Sequence, residues 1–472
     1  MRLQLAGALD TCRVMAATFL TLGFLSQAAL GATTKAATKT KKTAAKKEAA
    51  AKETSNKKTT ARKKRAVPQE KVYLEEDLSP PVTQQHVEEG VTAKGGDKTT
   101  EPLKAAPAGP TLRASLETTA YTDTDAINVL SPALTAGVGD EVEGWSLGGS
   151  YLVDVVTAAS VDIVSTASSS WREVRHVGAL NGSAKWDPLT AGVVAVVSRE
   201  PDYLALTGGG SFSIDLLDKN VTPYFALSFE KDSVGRTGLP HEYWKSKQVT
   251  NVQAGLTLVL GRATIGSVQW DSSFERGYLA KPYRYVPLFA PGQGASIPVG
   301  ASIDAVSRLR LSLRAIEQLP ESRDRHAFSG HLAHRFERAT LRFDERLYAD
   351  DWRLLASTSE LRYIIDIGKR LELWPHLRYH IQSSVSFWKR AYEALPGPGG
   401  LVAPVLRTGD RELGPLQTVV LGAGARWTLT DAPRSRWDLV LEADVGRTRY
   451  SDTLYIVERK MAYSTLAVEA VF

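Results

Sequence analysis

The 472-residue chain has a single cysteine, Cys12. It precedes an apolar run, whereas a lipidated cysteine would follow one, so a lipid anchor is not expected there. If that segment is a cleaved leader, the remaining chain has no disulfide or thiolate metal site. Beyond the leader no stretch stays apolar for 18 residues, which excludes a membrane-spanning helix. A charge excess is also missing from the bulk of the chain. The formal charge is +6, but residues 33–65 alone carry +11 and residues 110–472 carry −2. Nucleic-acid binding therefore cannot be read from the overall basicity, and no nucleic-acid partner is expected.

What is present divides the chain in three. Residues 1–32 read as a signal peptide: Arg2 and Arg13, an apolar run from Val14 to Leu25, then small residues near Gly31. Residues 33–109 are low complexity, Lys/Ala-rich and then Pro- and acid-rich. They cannot bury enough apolar surface to offset chain entropy, so a disordered periplasmic tail is expected. Its basic part, residues 33–65, is either a solvated spacer or a tether to peptidoglycan or an acidic periplasmic partner. Residues 110–472 carry the fold.

There the governing pattern is period two. In Leu371–Trp388, one register holds Leu371, Leu373, Leu377, Tyr379, Ile381, Val385 and Phe387. The other holds Glu372, Trp374, His376, Arg378, His380 and Gln382. Side chains alternate faces along a strand. A ribbon of roughly 55 Å, apolar on one side and ionic on the other, suits a membrane β-barrel wall. About sixteen strands are expected, within a range of 14 to 18, at 110–121, 126–138, 143–157, 172–185, 189–199, 203–216, 221–232, 247–261, 262–275, 323–336, 338–350, 354–367, 369–388, 413–429, 435–448 and 457–472. Links after even-numbered strands are short. Every long link follows an odd-numbered strand, as in barrels with both termini on the periplasmic side. The expectation is an all-β, transmembrane antiparallel up-and-down barrel in the outer membrane of a Gram-negative bacterium. Outer-membrane lipid is then one partner, and the outer-membrane assembly machinery, reading the terminal Phe472, is another. Aromatics near strand ends (Trp145, Trp171, Trp186, Tyr203, Tyr243, Trp244, Trp270, Tyr348, Trp352, Trp427, Trp437 and Tyr463) read as interfacial girdles.

Four segments carry a resemblance: GGSYLVDVVTAASVDIVSTAS (148–168), GYLAKPYRYV (277–286), RFDERLYADDW (342–352) and DRELGPLQT (410–418). They are similar to the domain of unknown function 3570 family of presumed outer-membrane β-barrels. The resemblance implies a barrel with no assigned reaction, and hints at redox partners in the cell envelope.

Chemistry-bearing clusters are sparse. His376 and His380 share a face but lie about 13 Å apart, too far to chelate one ion. His331 and His334 face opposite sides. Ser383 falls on the register opposite His380, and Asp350-Asp351 beside a turn reads as solvated. Gly208-Gly209-Gly210 inside a strand reads as a bulge or inward bend. No catalytic residue, metal ligand or cofactor is expected. The candidate functional residues line the lumen: Arg342, Asp344, Arg346, Glu360, Arg362, Asp366, His376, Arg378 and His380. Ile303 to Leu319, with apolar residues at helical spacing, reads as a plug or lid in the longest outer loop. The expected function is a porin-like channel or transporter for small solutes. The alternative is a non-conducting scaffold of an envelope complex, perhaps redox, with a barrel enzyme third.

Overall fold

A computed structural model describes residues 109–158, 171–432 and 435–472. The expected signal peptide and tail lie outside the described residues, as does most of the link after the third strand. Sixteen antiparallel strands close into a barrel in simple sequence order. They are β1 Thr111–Asp123, β2 Ile127–Asp140, β3 Trp145–Ala158, β4 Trp171–Trp186, β5 Leu189–Arg199, β6 Tyr203–Ile214, β7 Val221–Val234, β8 Lys245–Gly261, β9 Thr264–Gly277, β10 Ser322–Arg335, β11 Ala339–Asp350, β12 Leu355–Ile367, β13 Leu371–Gln382, β14 Leu416–Ala432, β15 Ser435–Tyr450 and β16 Glu458–Val471. The seam pairs β1 with β16 and ends on reciprocal backbone bonds between Leu112 and Phe472. Closure leaves no strand edge unpaired, the condition for crossing lipid with strands.

Burial follows the two registers. Leu116, Leu180, Val193, Phe229, Leu347, Leu361, Leu377 and Leu421 face outward and are exposed, while Asp154, Asp232, Arg342, His376 and Asp444 face inward and are buried. This is inverted relative to a soluble protein and matches a wall between lipid and a polar interior. Some outward positions are polar, among them His326 and His334 beside Phe328 and Leu332 on β10 and Glu345 on β11. Glu345 lies between Phe343 and Leu347 on β11, and its carboxylate accepts bonds from Ser357 (2.7 Å) and Ser359 (2.5 Å).

An outward aromatic belt forms at the short-turn end from Trp145, Trp186, Phe212, Phe336, Trp427, Trp437 and Phe472. Several other expected girdle members behave differently. Tyr203 and Tyr348 point inward, donating to Asp232 and Asp350, and Trp352 is buried beneath the loops. Tyr463 also falls on an inward register.

Three further expectations are corrected. β13 ends at Gln382, not at 388. The Gln382 amide donates to the carbonyls of Glu412 (2.7 Å) and Gly414 (2.8 Å), and the following chain turns into the loops. Gly208 to Gly210 make no bulge, because the ladders to β5 and β7 run through them unbroken. Glycine is needed at 209 for close approach, since a Cβ would sit 2.8 Å from Ser228 Cβ. Finally, the helix in the long loop is only Ile303–Leu309. Val306 is buried, but Leu309, Leu313 and Ile316 are exposed, and Arg314–Ile316 is a strand.

Candidate functional site: a charged inner wall under a loop cap

All nine residues nominated from the sequence lie on inward registers of β11, β12 and β13, and most are tied into local clusters of ion pairs and hydrogen bonds. Asp344 accepts from His331 and from Arg342 (3.1 Å). Arg346 donates to Asp271 (2.9 Å) and Ser329 (3.3 Å). Arg362 pairs with Glu360 (3.1 Å) and approaches Glu442 (3.9 Å). Asp366 accepts from Arg335. His376 meets Asp444 at 2.6 Å, and His380 Nδ1 lies 2.7 Å from Thr358 Oγ1. Arg378 sits between them on the same face of β13. Asp271, Glu442 and Asp444, on β9 and β15, were missed by the sequence reading. Their acidic side chains stand out on the polar register, but which strand they meet is set by register.

The inner wall is chemically uneven. On β3, β4 and β5, inward Leu152, Val177, Ala179, Val194 and Val196 pack together. A second apolar group, Ile364, Trp374, Val440 and Ala467, lies toward the short-turn end of β12, β13, β15 and β16.

The long-loop end carries a cap. Loops 278–321 and 383–415 share a three-stranded sheet in which Tyr285–Phe289 pairs with Arg314–Ile316 and with Tyr392–Glu393. The cap holds two apolar clusters: Val286, Leu288, Ala315 and Tyr392 form one, and Phe289, Ile297, Ala301 and Val306 another. A third cluster, Leu279, Trp352, Leu354, Val385 and Leu413, joins the cap to the rim. At one side Tyr283 donates to Asp202 in the β5–β6 turn. At another, Arg411 pairs with Asp125 in the β1–β2 turn (2.9 Å), and Gly300 N–H bonds Thr453 in the β15–β16 loop (2.9 Å). These turns lie at separated points of a sixteen-strand ring, so the cap spans the mouth.

The two loops are latched by Arg284, which donates to Asp410 (2.7 Å) and Glu317 (3.2 Å), all three buried. One guanidinium serves two carboxylates. Burial, with Glu317 and Glu412 nearby, pushes the Asp410 carboxyl up to about 6 against the pull of Arg284.

The nucleophile and acid-pair arrangements weighed from the sequence do not assemble. Ser383 is exposed and its hydroxyl accepts the Leu355 N–H. Asp350 is not solvated: its buried carboxylate is held by Arg323 at 2.7 Å.

Fold and wall together define a transmembrane-type β-barrel with a charged interior and a capped mouth. The family model for "Protein of unknown function (DUF3570)" matches residues 240–434, from the β7–β8 loop through β14, and the chain resembles that family. Three of the four segments quoted above fall within this range; 148–168 does not. No curated protein matches. Among solved structures, the chain is similar to the P. putida toluene transporter TodX (12% identity, covering 78% of this chain and 91% of that one, TM-score 0.33). It is also similar to Pseudomonas aeruginosa OccK11 (10%, 77% and 96%, TM-score 0.37). A bacterial polysaccharide outer membrane secretin matches at 9% identity, covering 76% and 97%, TM-score 0.38.

Proposed function

We propose that the chain is an outer-membrane channel for small polar solutes, closed on its long-loop side by a latched cap. The observation that carries this reading is the paired-charge network on the inward registers of β9 to β16, inside a closed barrel whose outer face is apolar. Sixteen strands give a ring wide enough for an aqueous path where loops do not fill it. Paired ions along that path offer a solute hydrogen-bonding groups without a large net field.

The test is conductance in planar bilayers for three proteins: the wild type, an Arg284→Ala/Arg411→Ala double variant, and a variant lacking residues 303–319. Discrete steps are expected in the wild type, more frequent or larger once the cap is unlatched. Silence from all three defeats the channel reading and leaves the barrel as a scaffold.

A further inference from the structure

His376 on β13 stands directly across from Gly422 on β14, which stands directly across from Asp444 on β15. Adjacent strands are about 4.8 Å apart, so the outer two backbones are separated by about 9.6 Å. Their side chains nevertheless meet over the glycine, with His376 Nε2 2.6 Å from Asp444 Oδ1. Any Cβ at 422 would overlap that oxygen and come within 2.5 Å of Nε2. Glu442, two residues earlier on the same face of β15, brings Oε1 to 3.8 Å from Nε2. One imidazole nitrogen and two carboxylate oxygens thus lie within 4.8 Å of one another. The His376 and Asp444 side chains are 4% and 0% exposed.

A histidine–aspartate ion pair accounts for part of this arrangement. It does not account for a second carboxylate turned toward the same ring, because like charges in a poorly hydrated wall repel. Arg362, 3.9 Å from Glu442, is committed more closely to Glu360 at 3.1 Å. We propose that His376, Asp444 and Glu442 form a binding site for a divalent first-row transition metal in the inner wall. Bonds of 2.0–2.2 Å place donors about 3 to 3.5 Å apart. The 2.6 Å gap must open, and the 3.8 Å gap close, by less than about 1 Å, within the reach of side-chain rotation. An imidazole with carboxylates suits Zn2+ and its neighbours rather than Mg2+ or Ca2+. This goes beyond the channel reading and stands independently of it. It also replaces the sequence-based expectation of no metal ligand, which rested on the His376–His380 separation within one strand.

The full-length protein in detergent, stripped with a chelator, is titrated with Zn2+ by calorimetry, and bound metal is counted after gel filtration. One Zn2+ per chain is expected, uncompeted by Mg2+. His376→Gln and Asp444→Asn should each weaken binding by at least about tenfold, while His380→Gln leaves it unchanged. Co2+ provides a second readout, its visible absorption disappearing in His376→Gln. Heat-modifiable electrophoretic mobility reports whether each variant is a folded barrel; if either fails, Glu442→Gln, at a more exposed position, takes its place. Wild-type protein without saturable Zn2+ binding, or binding that survives these substitutions in folded protein, overturns the proposal and leaves an ion-pair network only.

Discussion

Gly422→Ala is the sharpest probe of the inner wall. The added methyl would meet Asp444 Oδ1 and His376 Nε2, both at the free ends of side chains. Such ends can swing away, so the backbone need not move, but swinging away breaks the 2.6 Å pair. Asp444 then has no water to turn to, since its side chain is fully buried. Overpacking alone costs about 1–3 kcal/mol, and removing the partner of a buried charge about 3–5 kcal/mol. The two describe one event and do not add, so the expected loss is about 3 kcal/mol. Urea titration of the barrel in lipid vesicles, followed by tryptophan fluorescence, measures it. Gly330→Ala is the control: nothing lies within 4 Å of the Cβ it would add, and a shift within about 0.5 kcal/mol is expected. Adding Asp444→Ala to Gly422→Ala should recover part of the loss, because the clash and the pair share an atom. If Gly422→Ala costs under about 1 kcal/mol, the crossing over Gly422 is not what holds these strands together.

The cap should respond to pH. Burial, with Glu317 and Glu412 nearby and against the pull of Arg284, raises the Asp410 carboxyl from its ordinary 3.8 to about 6. The folded cap therefore holds an extra proton between those values, and its stability falls as pH rises through that window. Amide exchange at residues 409–414, corrected for the intrinsic rate, should slow from pH 7 to pH 5, and Asp410→Asn should abolish the dependence; acceleration over that interval would refute this. On the outer wall, Leu361 lies mid-strand and 44% exposed. Leu361→Arg should cost about 2–4 kcal/mol of vesicle-measured stability, and a loss below about 1 kcal/mol would place that face away from hydrocarbon.

Period two revealed the barrel because lipid outside and ions inside impose opposite demands on alternate residues. It misled at β13 for the same reason. Ser383, Val385 and Phe387 continue the apolar register of Ile381, but Val385 is buried in the cap cluster and Phe387 packs on Trp352, ring centroids 5.3 Å apart. Hydrocarbon and a protein core select the same side chains, so the boundary is marked by hydrogen bonds from the Gln382 side chain rather than by hydropathy. The cap itself was hidden because its short strands find non-local partners, about 30 residues away for Tyr285 with Ile316 and about 100 for Leu288 with Tyr392. The nine inward charges were legible one strand at a time, and their partners were not.

Three of these pairs share a geometry that only the register exposes. Arg346 on β11 reaches Asp271 on β9, Arg335 on β10 reaches Asp366 on β12, and His376 on β13 reaches Asp444 on β15. Each pair skips a strand. Beneath each crossing the intervening strand offers a small residue: Ser329, Thr340 and Gly422. Ser329 and Thr340 accept a bond from the arginine that passes over them. A larger inward side chain at any of the three would block the crossing and strand two charges in a wall with little water. The small inward residues among the charges of this wall are therefore as much part of its electrostatics as the ions are, and each ties three strands where a ladder hydrogen bond ties two.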